Sequence, residues 1–148
     1  MIQKLFYVLC FLLLCNCSEG DEGEMQGGRG HAPSSIIGKI LVFKKSNGDV
    51  YLSTNHLTES NVLVTSNEVD YELYPPYYTY MIVGDSKANY YLEATRKTYV
   101  PYWGDYVYAT FVFDMDLIFT SVSGGTYQGV QINGNGQESI ITGSFTLN

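Results

Sequence analysis

The chain has 148 residues, of which 45% are apolar, 15% aromatic and 16% charged. That is apolar material for one core, and it excludes a wholly disordered chain. Eight basic residues against fifteen acidic ones leave a net charge of −7, which argues against a nucleic-acid binder, because phosphate contacts need a concentration of Lys and Arg.

Residues 1–17 read MIQKLFYVLCFLLLCNC. Lys4 precedes a nearly unbroken apolar run from Leu5 to Cys15. As a helix that run rises about 16 Å, too short for a hydrocarbon core of roughly 30 Å. A basic start, a short apolar stretch and then polar residues describe a secretory signal over residues 1–16. The run Leu14-Cys15-Asn16-Cys17 resembles the lipobox of bacterial lipoproteins. The resemblance implies cleavage just before Cys17 and lipidation of Cys17. The family usually has small residues at the two positions held here by Cys15 and Asn16. Cys15, preceded by Leu12, Leu13 and Leu14, is the alternative lipid site. Ser18-Glu19-Gly20-Asp21-Glu22 follows and is similar to the acidic export signal of Bacteroidetes surface lipoproteins. These resemblances imply an outer-membrane lipoprotein exposed at the cell surface. The acyl chains of that family anchor firmly, where one chain alone binds only marginally. The three cysteines (Cys10, Cys15 and Cys17) all lie in this stretch, so residues 18–148 contain no disulfide, cysteine-based metal site or thiol nucleophile. The resemblance stops near residue 24 and does not reach the body.

Residues 17–34 are expected to be a tether behind the lipidated cysteine. Ser18–Ser34 holds five glycines, four acidic residues and no apolar period, so burial cannot offset its ordering entropy. As a flexible coil it spans roughly 20–25 Å on average. His31, within it, reads as a solvated loop histidine.

Residues 35–148 are expected to form a single all-β domain. No stretch shows a 3.6-residue period; alternation, β-branched and aromatic residues and turn dipeptides recur instead. In chain order the expected strands are Ile36–Lys45, Asp49–Ser53, Asp70–Tyr74, Tyr77–Val83, Asn89–Lys97, Tyr106–Thr120, Tyr127–Ile132 and Ser139–Leu147. Asn47-Gly48, Gly84-Asp85-Ser86, Gly104-Asp105, Gly124-Gly125 and Asn133-Gly134-Asn135-Gly136 separate them, and Pro75-Pro76 breaks the chain before Tyr77. In Tyr106–Thr120 the odd positions from Val107 to Phe119 are all apolar, so one face is buried. A strand of that length must bend or pass between sheets. About nine or ten short strands joined by hairpins predict an antiparallel β-sandwich, with an up-and-down, lipocalin-like barrel as the alternative.

Catalytic chemistry is thinly represented. His56 is the one histidine of the body and reads as structural or solvated in a loop; no G-x-S-x-G elbow accompanies it. Asp114 and Asp116 share a strand face about 7 Å apart. Such a pair suits glycoside hydrolysis or calcium, but their place opposite the apolar face reads as solvated charge. Glu68, Asp70 and Glu72 alternate in the same way. Asn47, Asp49, Asn133 and Asn135 are explained by turn chemistry. No motif calls for a metal or a cofactor.

The fourteen tyrosines are the unusual feature. They are good strand formers, and they also offer flat faces with a polar tip. Tyr99, Tyr102 and Trp103 flank Pro101 before the Gly104 turn, and Tyr106 and Tyr108 alternate away from the apolar face, so these five are the candidate ligand-binding residues. The favoured reading is a non-catalytic, lipid-anchored surface module that captures a glycan or a protein. The alternative is a structural or assembly subunit of a pilus-like surface structure, with Ser139–Leu147 as donor strand. A small hydrolase on Asp114, Asp116 and Glu93 ranks below both, and a barrel with an apolar ligand rests on a cavity that sequence does not reveal.

Overall fold

The computed structural model describes residues 31–66 and 76–148. Cys17, the expected strand Asp70–Tyr74 and the acidic residues Glu68, Asp70 and Glu72 lie outside them. The described residues form eight strands: β1 (Ile40–Lys45), β2 (Val50–His56), β3 (Val62–Thr65), β4 (Tyr77–Gly84), β5 (Lys87–Val100), β6 (Asp105–Ser121), β7 (Gly124–Ile132) and β8 (Glu138–Leu147). All join one antiparallel sheet in the order β3-β2-β1-β8-β7-β6-β5-β4. The fold is all-β, as the alternation requires. Of the two closures that alternation allows, the continuous sheet is the barrel-like one: a meander whose first and last strands, β1 and β8, pair along their length. Eight strands fall within the described residues, and one further expected strand, Asp70–Tyr74, lies outside them. β3, too short at four residues to show a period, is an addition to the expected list.

Alternation turns one side of every strand inward. Leu41, Phe43, Leu52, Val62, Tyr90, Leu92, Phe113, Met115, Leu117, Phe119, Phe145 and Leu147 fill the interior. The rings meet edge-on or tilted. Phe43 contacts Tyr127 at 5.3 Å, and Phe119 contacts Phe145 at 4.9 Å. These are the offsets that ring quadrupoles prefer.

The ladder stops at one seam. Among the described residues β3 and β4 are the two edges of the sheet and do not pair with each other. Side chains bridge the gap: the Tyr78 ring of β4 lies 4.6 Å from the His56 ring of β2, and its hydroxyl donates to the carbonyl of Thr58 at 2.6 Å.

Turns alternate between the two ends of the barrel. The N-terminal segment lies at the end that holds the β2–β3, β4–β5 and β6–β7 turns. It is docked there rather than free: the Ala32 N–H donates to the carbonyl of Asp85, Tyr80 donates to the carbonyl of Pro33, and Ile36 is buried in the core. The opposite end carries the β1–β2 and β7–β8 turns and the long β5–β6 hairpin.

β6 neither bends into a second sheet nor crosses between sheets. β7 accompanies it only over Val112–Ser121, and its first half leaves the barrel with β5.

Candidate functional site

β5 and β6 keep an unbroken register from Lys87↔Ile118 to Val100↔Asp105. β4 covers β5 only up to Glu93, and β7 covers β6 only from Val112. Beyond those limits no other described strand flanks the pair: Ala94 and Phe111 still pack on the core, and from there to the Pro101–Gly104 turn the hairpin stands out as a two-stranded arm. An isolated hairpin is marginal in water, and this one has local supports. Tyr99 and Tyr106, directly paired, pack edge-on at 5.3 Å. The Lys97 ammonium sits 4.1 Å from the centre of the Tyr106 ring, and the Thr95 and Thr110 hydroxyls bond at 3.2 Å. At the base, Gly134 of the β7–β8 turn packs against Ala109 so closely that a Cβ there would lie 2.6 Å from the alanine methyl. The tip is a Pro101–Gly104 turn in which Gly104 N–H donates to Val100 at 3.0 Å with φ of 62°, the left-handed region that suits glycine.

The five candidate binding residues therefore meet on one element. Tyr102 is 91% exposed and Trp103 66% exposed at the tip. Tyr99, Tyr106 and Tyr108, each about half exposed, share the arm's outer face, since Tyr99 faces Tyr106 and Lys97 faces Tyr108 across the pair. Core packing accounts for none of these exposed rings. Sequence reasoning missed the polar companions Thr95, Lys97 and Thr110. It also missed the continuation of the face onto the barrel through Tyr91 and Tyr77, whose rings lie 6.2 Å apart. Parity with Tyr99 along β5 was the signal available for Tyr91, Thr95 and Lys97; Tyr77 needed the register to Glu93.

The remaining chemistry-bearing residues do not gather. His56 ends β2 and is fully buried, not in a loop. Its Nδ1 lies 3.1 Å from the carbonyl of Lys39, which can only accept, so Nδ1 carries the proton and Nε2 accepts from the Tyr90 hydroxyl at 3.0 Å. Burial holds its pKa below the ordinary 6.5, with the bond to Lys39 opposing. Both nitrogens are thus engaged, and the ring meets no solvent. Asp114 accepts from the Asn89 side chain at 2.9 Å, and Asp116 pairs with Lys87 at 2.9 Å on the outer face. Glu93 accepts from Tyr91 at 3.4 Å. Among the described residues no three acidic, histidine or cysteine side chains come together around a common point. The expected donor strand, Ser139–Leu147, lies within β8 in mid-sheet, paired to β1 on one side and β7 on the other, so neither edge is open for exchange. Comparison with protein-family models, curated proteins and solved structures finds no match to this chain.

Proposed function

We infer that this chain is a lipid-anchored surface protein of the bacterial outer membrane, and that its aromatic arm captures an extended glycan without transforming it. The observation that carries the reading is the joint exposure of Tyr99, Tyr102, Trp103, Tyr106 and Tyr108 on a hairpin held clear of the core. Exposed apolar area of that kind costs solubility and marks a contact surface. Flat rings with polar tips suit sugar faces, and the hydroxyls of Thr95 and Thr110 add hydrogen-bonding groups beside them.

Geometry supports the anchor reading too. The described chain begins at the end of the barrel opposite the arm. β5 runs from Lys87, near that end, to Val100 beside the arm tip, a distance of about 40 Å at the usual strand rise. A lipid on Cys17 would therefore present the arm away from the membrane. The engaged nitrogens of His56 and the partnered, outward-facing Asp114 and Asp116 favour binding over hydrolysis.

Two experiments test this. The mature protein is applied to an immobilised glycan panel, alongside the double variant Tyr102→Ala, Trp103→Ala. Saturable binding that weakens about tenfold or more in the variant supports the reading. Absence of any glycan ligand, with the same variant losing a protein partner from the cell surface, moves the arm to protein capture. Metabolic labelling with a fatty-acid analogue tests the anchor: Cys17→Ala should abolish the label, and Cys15→Ala should keep it.

A further inference from the structure

Tight turns are ordinarily built from Gly, Asn, Asp and Ser. The two short hairpins at the arm end follow that rule with Asn47-Gly48 and Asn133–Gly136. The end where the N-terminal segment docks departs from it. Each of its three turns carries an aliphatic side chain in solvent: Leu57 in the β2–β3 turn, Ile82 and Val83 where β4 enters its turn, and Val122 in the β6–β7 turn. Ile37 of the docked segment joins them, and the five are between 43% and 66% exposed. Scattered singly, such residues are ordinary; gathered at one end, they mark a contact surface.

Backbone groups of these turns are already paired within the protein. The carbonyl of Ser86 accepts from Phe119 N–H at 2.7 Å, that of Asp85 from Ala32 at 2.9 Å and that of Ser123 from Leu147 at 2.8 Å, while Leu57 N–H donates to Asn61 at 2.9 Å. Paired polar groups leave water at lower cost than free ones. Charge gives this end no other attraction: Glu59 and Asp85 stand exposed against Lys39, and Lys87 is held by Asp116 at 2.9 Å, so no excess of positive charge draws it to anionic headgroups. Only residues 18–30 separate Cys17 from this end, and a chain of that length spans at most about 50 Å. A lipid on Cys17 thus holds these turns beside the bilayer, where even weak contact is made intramolecular. We propose that the docked end is a membrane seat: its aliphatic turn residues enter the boundary between headgroups and acyl chains by apolar contact, so the barrel stands on the bilayer with its arm outward. The choice of a lipid surface as occupant rests on the anchor reading.

From Cys17 onward the chain has Cys17 as its single thiol. Coupling that thiol to a maleimide lipid in phosphatidylcholine vesicles supplies the anchor whether or not a cell acylates the residue. The two readings are thereby separated: the fatty-acid label in cells decides the anchor, and the vesicles decide the seat. The reporter is Val122→Trp combined with Trp103→Phe. On vesicles its emission should shift to the blue and be quenched by lipids brominated in their acyl chains, and adding Ile82→Ser with Val83→Ser should reduce both effects. The natural chain, whose one tryptophan lies at the opposite end, should keep its aqueous emission. Leu57→Trp with Trp103→Phe gives the same readout from the β2–β3 turn if the first reporter folds poorly. Unshifted, unquenched emission from a folded reporter overturns the proposal, as does equal quenching of Trp103, which means the barrel lies flat. A blue emission already present in dilute solution without vesicles assigns the face to a segment of this chain, and one that grows with protein concentration assigns it to a second copy; either outcome overturns the lipid seat.

Discussion

At the end of the barrel where the N-terminal segment docks, tyrosines are enclosed and hydrogen-bonded. Tyr78 donates to Thr58, Tyr80 to Pro33 and Tyr90 to His56. Burial pushes the Tyr80 hydroxyl up to about 12 and raises Tyr78 and Tyr90 as well. On the arm the same residue type stands in solvent, and its contacts are ring on ring or ammonium on ring. Exposed aliphatic residues cluster the other way: Ile37, Ile82, Val83 and Val122 lie around the docked end, with Ile140 beside the β7–β8 turn as the exception. The contrast teaches that tyrosine does two jobs here. In one place it closes a sheet whose ladder is incomplete, and in the other it furnishes surface.

That contrast fails or sharpens on measurement. The largest effect should come from His56→Ala. It removes a fully buried ring and strands the Tyr90 hydroxyl, while the Lys39 carbonyl keeps the backbone N–H of residue 56, at a cost of about 3 kcal/mol in denaturant unfolding. Tyr102→Ser with Trp103→Ser should leave stability within about 0.5 kcal/mol. Comparable losses from both would erase the distinction between the ends.

Acid should act on the docked end alone. Below about pH 6.5 the unfolded chain takes up a proton that buried His56, its pKa lowered by desolvation, refuses. Stability present at neutral pH should therefore fall as the pH drops through that point, until the folded pKa is reached. The natural chain should show this fall in unfolding curves at pH 7.5 and pH 5.5, and His56→Gln should show less of it.

A smaller loss, about 1 kcal/mol, is expected for Tyr78→Phe, which removes the hydroxyl bridging the seam to Thr58. Hydrogen exchange should speed in β3 and β4 before it speeds in β8. Smallest is Lys97→Met on the arm, where loss of the ammonium over Tyr106 should cost about 0.5 kcal/mol. That loss should appear as faster exchange of arm amides, with no change in the global melt.

How much of this was legible in the sequence follows from the physics of each element. The alternation from Val107 to Phe119 reports which face turns inward, because a period of two is a local property. It is silent on where the neighbouring strands stop, and that decides which half of β6 is core and which half is arm. Asn47-Gly48 and Asn133–Gly136 marked their hairpins, since turn chemistry is local too. His56 is structural, as one side of its sequence reading had it, but its place in a loop was wrong because Asn55 and Thr58 beside it look like loop residues. Its burial depends on Tyr78 and Tyr90, both more than twenty positions away. Lys45 holds an inward position opposite Gly143, and that became legible only once the register was known. Tyr51 turns toward the core through a register shift between β1 and β2, which no pattern of residue types announces.

The position of Trp103 has a spectroscopic consequence. It is the single tryptophan of the chain, and it sits at the tip of the arm, largely in water. Its emission therefore reports the arm's surroundings and is nearly blind to the core, so an unfolding curve followed by tryptophan would be almost flat while the protein melts. The melt is to be followed instead through the buried tyrosines, by near-ultraviolet circular dichroism. Tryptophan emission is left as a background-free reporter of whatever the arm touches.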